Sequence, residues 1–417
     1  MSNKTDHHAV SADEEFYYEE TVVEHVDNRR RRTILATILV ALLFLLMGTT
    51  WFVLKINTPT AAPSVAELPS GVSWVRSIYT WGTTANTLLR GPVDDAIAPD
   101  GTIWVATNKQ IIAGFTPDGR PKRVIMPVQG KGRGQVIALE GIAVSETGDV
   151  YVADFGRGAV LVFSAQGAFL REWPVELPNE LYVRNGKVTV VTSGGVKVFD
   201  LQGKEIASWG KRGRGEENFD LPHGVYVGAD GTTFVSDTQN ARIRAYTPEG
   251  RLLWTRGKTR TTDKLAKTTD ASVTINGVAQ SLELPAGMTM DSNGRLIVVD
   301  PFKFEALVLN PKNGQILARY GDFGDKDGQF AYPTGISYDP QRDTFAVADT
   351  ANNRIQVIRL PGTGGSLLKR GIAEATDRPW WLCLIPLILI MLAIVLRLTK
   401  RRNRAARQDD VQDSQDA

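Results

Sequence analysis

The chain of 417 residues contains one cysteine, Cys383, and four histidines, three of which (His7, His8 and His25) fall in the first 28 residues. A lone cysteine excludes an intramolecular disulfide, so the fold has to rest on packing. With one histidine left for the rest of the chain, a multi-histidine metal centre is excluded there. No zinc-type Cys/His spacing, glycine-rich phosphate loop or Ser–His–Asp spacing occurs. Charge of one sign is missing too: 48 Lys and Arg against 46 Asp and Glu leave a net +2, with the two signs segregated along the chain.

What the sequence does have is repetition. Pro333 to Leu360, PTGISYDPQRDTFAVADTANNRIQVIRL, reads as three short strands, Thr334–Tyr338, Thr344–Ala348 and Arg354–Arg359. They are separated by breaks rich in Asp, Asn, Pro and Thr, which is a hairpin signature. A meander this short cannot bury its own faces and needs copies. Copies begin at Pro92, Leu139, Pro178, Pro222 and Pro285, each with a Pro or Leu followed closely by a β-run, a turn and a second strand. A spacing of roughly 40 to 60 residues marks blades or solenoid units. The lack of interleaved helices favours a propeller, and six copies predict six blades.

The turns Asp349–Thr350–Ala351–Asn352–Asn353–Arg354–Ile355 and Asp237–Thr238–Gln239–Asn240–Ala241–Arg242–Ile243 resemble those of the NHL-repeat β-propeller family. So does the approach Gly321–Asp322–Phe323–Gly324, Gly328–Gln329–Phe330 and Pro333. The resemblance covers Val72 to Leu360 and implies an all-β, six-bladed propeller without specifying a function. Independently of it, Asp154, Asp237, Asp300 and Asp349 after each second strand are suited to accept backbone N–H groups across the following turn. Arg242 and Arg354 are placed to bridge that Asp to a neighbouring blade.

Residues 1–32 are polar and then basic, ending in Arg29–Arg32, and read as a disordered tail. Residues 33–54 follow without a charge, long enough for a transmembrane helix and too long for the apolar core of a signal peptide. Residues 55–71 are a Pro-rich stalk, 72–362 the propeller and 363–378 a linker. Residues 379–398 form a second apolar run with Trp380 and Trp381 at its edge, and 399–417 a basic tail. Arginines before the first span and Lys400–Arg404 after the second place both termini in the cytoplasm. The expectation is a two-pass protein of a bacterial cell membrane, its propeller flanked by two transmembrane helices and extracytoplasmic. The segment Trp74–Trp81 resembles the outer strands ending at Trp173, Trp209 and Trp254, and is expected to complete the last blade and close the ring.

Loops before each first strand and after each second strand should gather on one face. Three basic loops fall there: Lys131 and Arg133; Lys211, Arg212 and Arg214; Lys258 and Arg260 within an insertion reaching Ser281. Glycine-spaced basic loops suit anions, so the partner expected is an envelope or membrane protein, an anionic polymer or a lipid head group. No nucleic acid and no cofactor is expected. An alternative is implied by the likeness to six-bladed hydrolases: a lactonase-like Ca²⁺ site at the channel mouth. It would use the residues after each Pro or Leu, of which Glu140, Asn179 and His223 are the candidate ligands beside Val93, Ala286 and Thr334. Asp94 and Asp95 adjoin that ring.

Overall fold

The computed structural model describes residues 71–257 and 274–363, together with 35–36, 38–39, 41–49, 391, 394 and 397. Two compact units are separable, Met1–Ala62 and Pro63–Ala417. In the first, residues 41–49 are helical and expose Phe44, Leu45 and Met47. No helix among the described residues is long and apolar enough to cross a membrane. Of the expected spans, residues 33–34, 37, 40 and 50–54 of the first and all of 379–398 except 391, 394 and 397 lie outside the described residues, as do the stalk as far as residue 70 and the linker beyond Thr363.

The second unit holds six four-stranded antiparallel sheets. From the inside outward, blade one is Pro92–Ile97, Ile103–Thr107, Ile112–Phe115 and Pro121–Ile125. Blade two is Leu139–Val144, Val150–Asp154, Ala159–Phe163 and Phe169–Pro174, and blade three Pro178–Arg184, Lys187–Thr192, Gly195–Asp200 and Glu205–Trp209. Blade four is Gly224–Val227, Thr233–Asp237, Arg242–Tyr246 and Leu252–Gly257, and blade five Met288–Met290, Leu296–Asp300, Glu305–Leu309 and Ile316–Tyr320. Blade six has Pro333–Asp339, Thr344–Asp349 and Arg354–Arg359, and takes its outer strand, Ser73–Ile78, from the other end of the chain. Within the insertion between blades four and five, Thr274–Ile275 pairs with Val278–Ala279.

The inner strands touch in a closed circle, one to two and onward to six and back to one. Each junction holds its own apolar core, because β-branched and aromatic residues point to both faces of every middle strand. Trp104, Ile142 and Leu161 pack between blades one and two, and Ile297, Phe345 and Val347 between five and six. Ile78 of the closing strand packs with Val105, Phe115 and Ile355 between blades six and one. Closure is therefore covered by apolar burial as well as by hydrogen bonds. The register pairs Ser73 with Arg359 and Ile78 with Ile355, so the propeller begins and ends at one spot.

The Asp after each second strand is buried completely in blades two, four, five and six. It accepts from the turn that follows, as Asp154 does from the Arg157 N–H and Asp300 from those of Phe302 and Lys303, and also from the loop that leads into its own blade. Asp154 accepts the N–H groups of Ile137 and Ala138, Asp300 those of Glu283 and Leu284, and Asp349 that of Ala331. Arg354 donates to Asp349 at 2.7 Å and to the carbonyls of Lys326 and Gln329, and Arg242 repeats this with Asp237, Gly215 and Asn218. In blades four and six these buried pairs tie the incoming loop to the blade it enters.

Candidate functional site: a carboxylate-lined channel and two loop faces

The inner strands begin alike in sequence but not in side chain. Two residues after the leading Pro or Leu, blades two, four, five and six have Gly141, Gly224, Gly287 and Gly335, whereas blade one has Asp94 and blade three Glu180. A β-bulge falls at this position in blades one, two, three and six, and a bulge re-aims the residue that follows it. The glycines leave the room that the acids fill: a Cβ on Gly335 would meet Asp94 Oδ1 at 2.5 Å, and one on Gly141 would meet the Glu180 Cα at 2.8 Å. Asp94 thus reaches past blade two to Glu180.

Asp94, Asp95 and Glu180 are 2, 4 and 7% exposed. All three line a central cavity of about 110 Å³, to which every inner strand or its approach contributes. The Ile142 N–H donates to Asp94 at 2.7 Å, and Ser337 Oγ donates to Asp95 Oδ2. Asp95 Oδ1 and Glu180 Oε2 have no partner. Burial pushes Asp94 up to about 7, against the lowering effect of bonds from Glu180 and Ile142. Burial and the neighbouring acids raise Asp95 and Glu180 well above the usual carboxylate range, and Glu180 keeps the proton it donates to Asp94. No lysine or arginine lines the cavity.

Glu140, Asn179 and His223 lie one position earlier, and none of the three lines this cavity. Asn179 spends its amide on the Pro222 carbonyl at 2.7 Å, a stitch between blades three and four. Thr334 does the same for Val93 across the ring closure. The His223 Nδ1 is buried without a partner, and burial pushes this imidazole down to about 4. Burial likewise raises Glu140. Ca²⁺ asks for about six to eight oxygens, and no grouping of three His, Cys, Asp or Glu able to hold a metal occurs among the described residues. The channel-mouth residues therefore do not fit that ion.

The basic loops occupy the end of the propeller where outer strands pass to the next inner strand. Residues 129–136, 212–219 and 323–330 share one loop shape, each pinched by a parallel bridge between its ends. Lys131, Arg133, Lys211, Arg212 and Arg214 are exposed in the first two. Arg133 lies 5.6 Å over the Phe169 ring, and Arg214 pairs with Asp220 at 3.0 Å. The third loop has the same shape with Asp322, Asp325 and Asp327 around a single cation, Lys326. The two described basic loops lead into blades two and four, with the short connection 175–177 into blade three between them. Lys258 and Arg260 lie outside the described residues. The sequence offered no aromatic set on this face, yet Phe302, Phe323 and Tyr332 are exposed in its loops, joined by Met126, Val128 and Leu221. Phe302 packs on Tyr332 at 5.9 Å and Phe323 on Phe304 at 4.7 Å. These aromatics stand in loops of blades five and six, far apart in sequence from the basic loops, which hides the grouping from a linear reading.

The NHL repeat family model matches residues 139–163 and 330–358, the first three strands of blades two and six. NHL repeat-containing protein 3 of Mus musculus is 27% identical over 243 residues, which cover 53% of this chain and 64% of that protein. The Homo sapiens protein of the same name is 26% identical over 243 residues. The chain thus spans less than two thirds of the length of these curated relatives. Among solved structures, Kuenenia stuttgartiensis hydrazine synthase is 16% identical with a TM-score of 0.47, over 68% of this chain and 99% of that one. Virginiamycin B lyase from Staphylococcus aureus is 13% identical with a TM-score of 0.45, over 68% and 98%.

Proposed function

From a chain whose NHL repeats close into a six-bladed propeller, we propose a binding and scaffolding module anchored in a cell membrane. The two apolar runs, 33–54 and 379–398, would hold it with both termini in the cytoplasm and the propeller outside. Its partner would be an envelope protein whose surface is both acidic and apolar. The observation that carries this reading is the pairing of Ser73 with Arg359. It sends both chain ends out beside each other, at the end of the propeller opposite the exposed Lys131, Lys211, Arg212, Phe302 and Phe323. A protein tethered by both ends in this way would present that loop face outward. Exposed large apolar residues gathered at one end of a rigid body mark an interaction surface, and cations beside them set partner choice and encounter rate.

The test is a pull-down from detergent-solubilised membranes with three proteins: wild type, a Lys211→Glu, Arg212→Glu, Arg214→Glu triple variant, and Phe323→Ser. Loss of the same protein partner from both variants supports the loop face. Loss only from the triple variant, with anionic polymer or lipid recovered in the wild type, replaces the protein partner by an anionic one. A partner list unchanged in both sinks the reading and moves attention to the spans.

A further inference from the structure

We propose that the central cavity walled by Asp94, Asp95 and Glu180 is a binding site for a small organic ammonium ion. Three carboxyl groups from two blades line one space, Asp94 and Glu180 where the other four blades have glycine and Asp95 where the other five have an apolar residue, and no cationic side chain lines it. Buried polar atoms are normally hydrogen-bonded. Here two oxygens, Asp95 Oδ1 and Glu180 Oε2, have nothing to accept from. An alkylammonium group brings three N–H donors, enough for both orphan oxygens and for Asp94.

The remaining wall suits the carbon end of such a ligand. Ile142, Val225, Met288 and Ile336 line the cavity, with the rings of Tyr182 and Tyr338 beside them, and a cation over such rings gains further. A cavity of about 110 Å³ compares with the roughly 150 Å³ apolar cavity that accommodates benzene, so an amine of a few carbons matches its size. Its lining continues through the half-exposed Ala96, Ile97, Val144, Tyr182 and Tyr338. These lie toward the turns between first and second strands, away from Glu140 and His223.

The titratable and polar groups that line the cavity are Asp94 and Asp95 on the inner strand of blade one, Glu180 and Tyr182 on three, and Ser337 and Tyr338 on six, with Glu140 acting on Asp94 and Arg184 and Tyr226 on Tyr182 from outside it. Blade five contributes the uncharged Met288 and Thr289. The ammonium would take the place of protons that the acids otherwise hold.

Isothermal titration of ethylammonium chloride into the full-length protein in detergent at pH 7.5, in two buffers of different ionisation enthalpy, tests the site. Saturable binding with net proton release is expected, together with a raised unfolding temperature and affinity lowered at least tenfold by Asp95→Asn and by Glu180→Gln. Both variants remove a buried ionisable group and should fold, which their unfolding temperatures without amine report. If ethylammonium gives no saturable heat, if both folded variants bind it as wild type does, or if CaCl₂ binds in its stead, the assignment is overturned.

Discussion

At the scale of single residues, the glycine column that opens the inner strands is broken in two of six blades, and both replacements are acids. The leading Pro or Leu and the residue after it are easy to align, which drew attention to Glu140, Asn179 and His223. The bulge at this point shifts the alternation of the inner strand by one residue, so the cavity is lined by the next position, where Asp94 and Glu180 stand. A glycine column broken by an acid in two of six copies was the available signal. Its consequence for stability follows from the raised Asp94. The unfolded chain releases this proton near the ordinary carboxylate value of about 4, while the folded chain holds it to about 7. Stability from this group is therefore fully present below pH 4 and declines as pH rises toward 7. Asp94→Asn should unfold at a higher urea concentration than wild type at pH 8, by a difference on the order of a few kcal/mol. That advantage should shrink toward zero at pH 4, and an advantage independent of pH would contradict the assignment.

At the scale of elements, most of the architecture was legible. Thr344 and Arg354 start their strands where the alternation of β-branched residues and the Asp- and Asn-rich turns place them. The closing strand was legible because Trp74–Trp81 carries the tryptophan-rich pattern of the outer strands. The turn partners of these aspartates were legible too, as the Arg157 N–H on Asp154 shows; their second set was not, because the loop they hold precedes the Asp by 16 to 18 residues. This distinction gives the repeat its energetic logic. Asp349 and Arg354 are 0 and 1% exposed, and Asp349 also accepts from Asn352 and Gln356. Asp349→Ala leaves the guanidinium buried without its carboxylate, at a cost of about 3–5 kcal/mol. The double variant Asp349→Ala, Arg354→Leu should recover part of that loss in urea unfolding. A cost below about 1 kcal/mol for the single variant would show that the pair positions the loop without stabilising it.

At the scale of the molecule, the closed circle of inner strands means that no blade has a free face and that the last junction decides the ring. Each blade shares one apolar core with each neighbour. Within blade six, the pairing of the closing strand with the third strand joins positions nearly 300 residues apart, Ser73 and Arg359. Holding such distant segments together carries the largest loop-closure entropy in the fold. The outer strand of blade six is also the one outer strand not joined to its neighbour by a hairpin, so opening should begin there. A covalent clamp tests this directly. Directly opposed residues of antiparallel strands have Cα atoms about 4.5–5.5 Å apart, within the roughly 4.4–6.8 Å that a disulfide spans. Ser73→Cys with Arg359→Cys, in a Cys383→Ser background, should form a disulfide on oxidation and raise the unfolding temperature relative to the reduced protein. For a loop this long the chain-entropy estimate is about 5 kcal/mol as an upper bound. An oxidised and cross-linked protein that unfolds at the same temperature as its reduced form would show that the ring opens first at another junction. The thin connection through residues 175–177, between blades two and three, would then be the next to clamp.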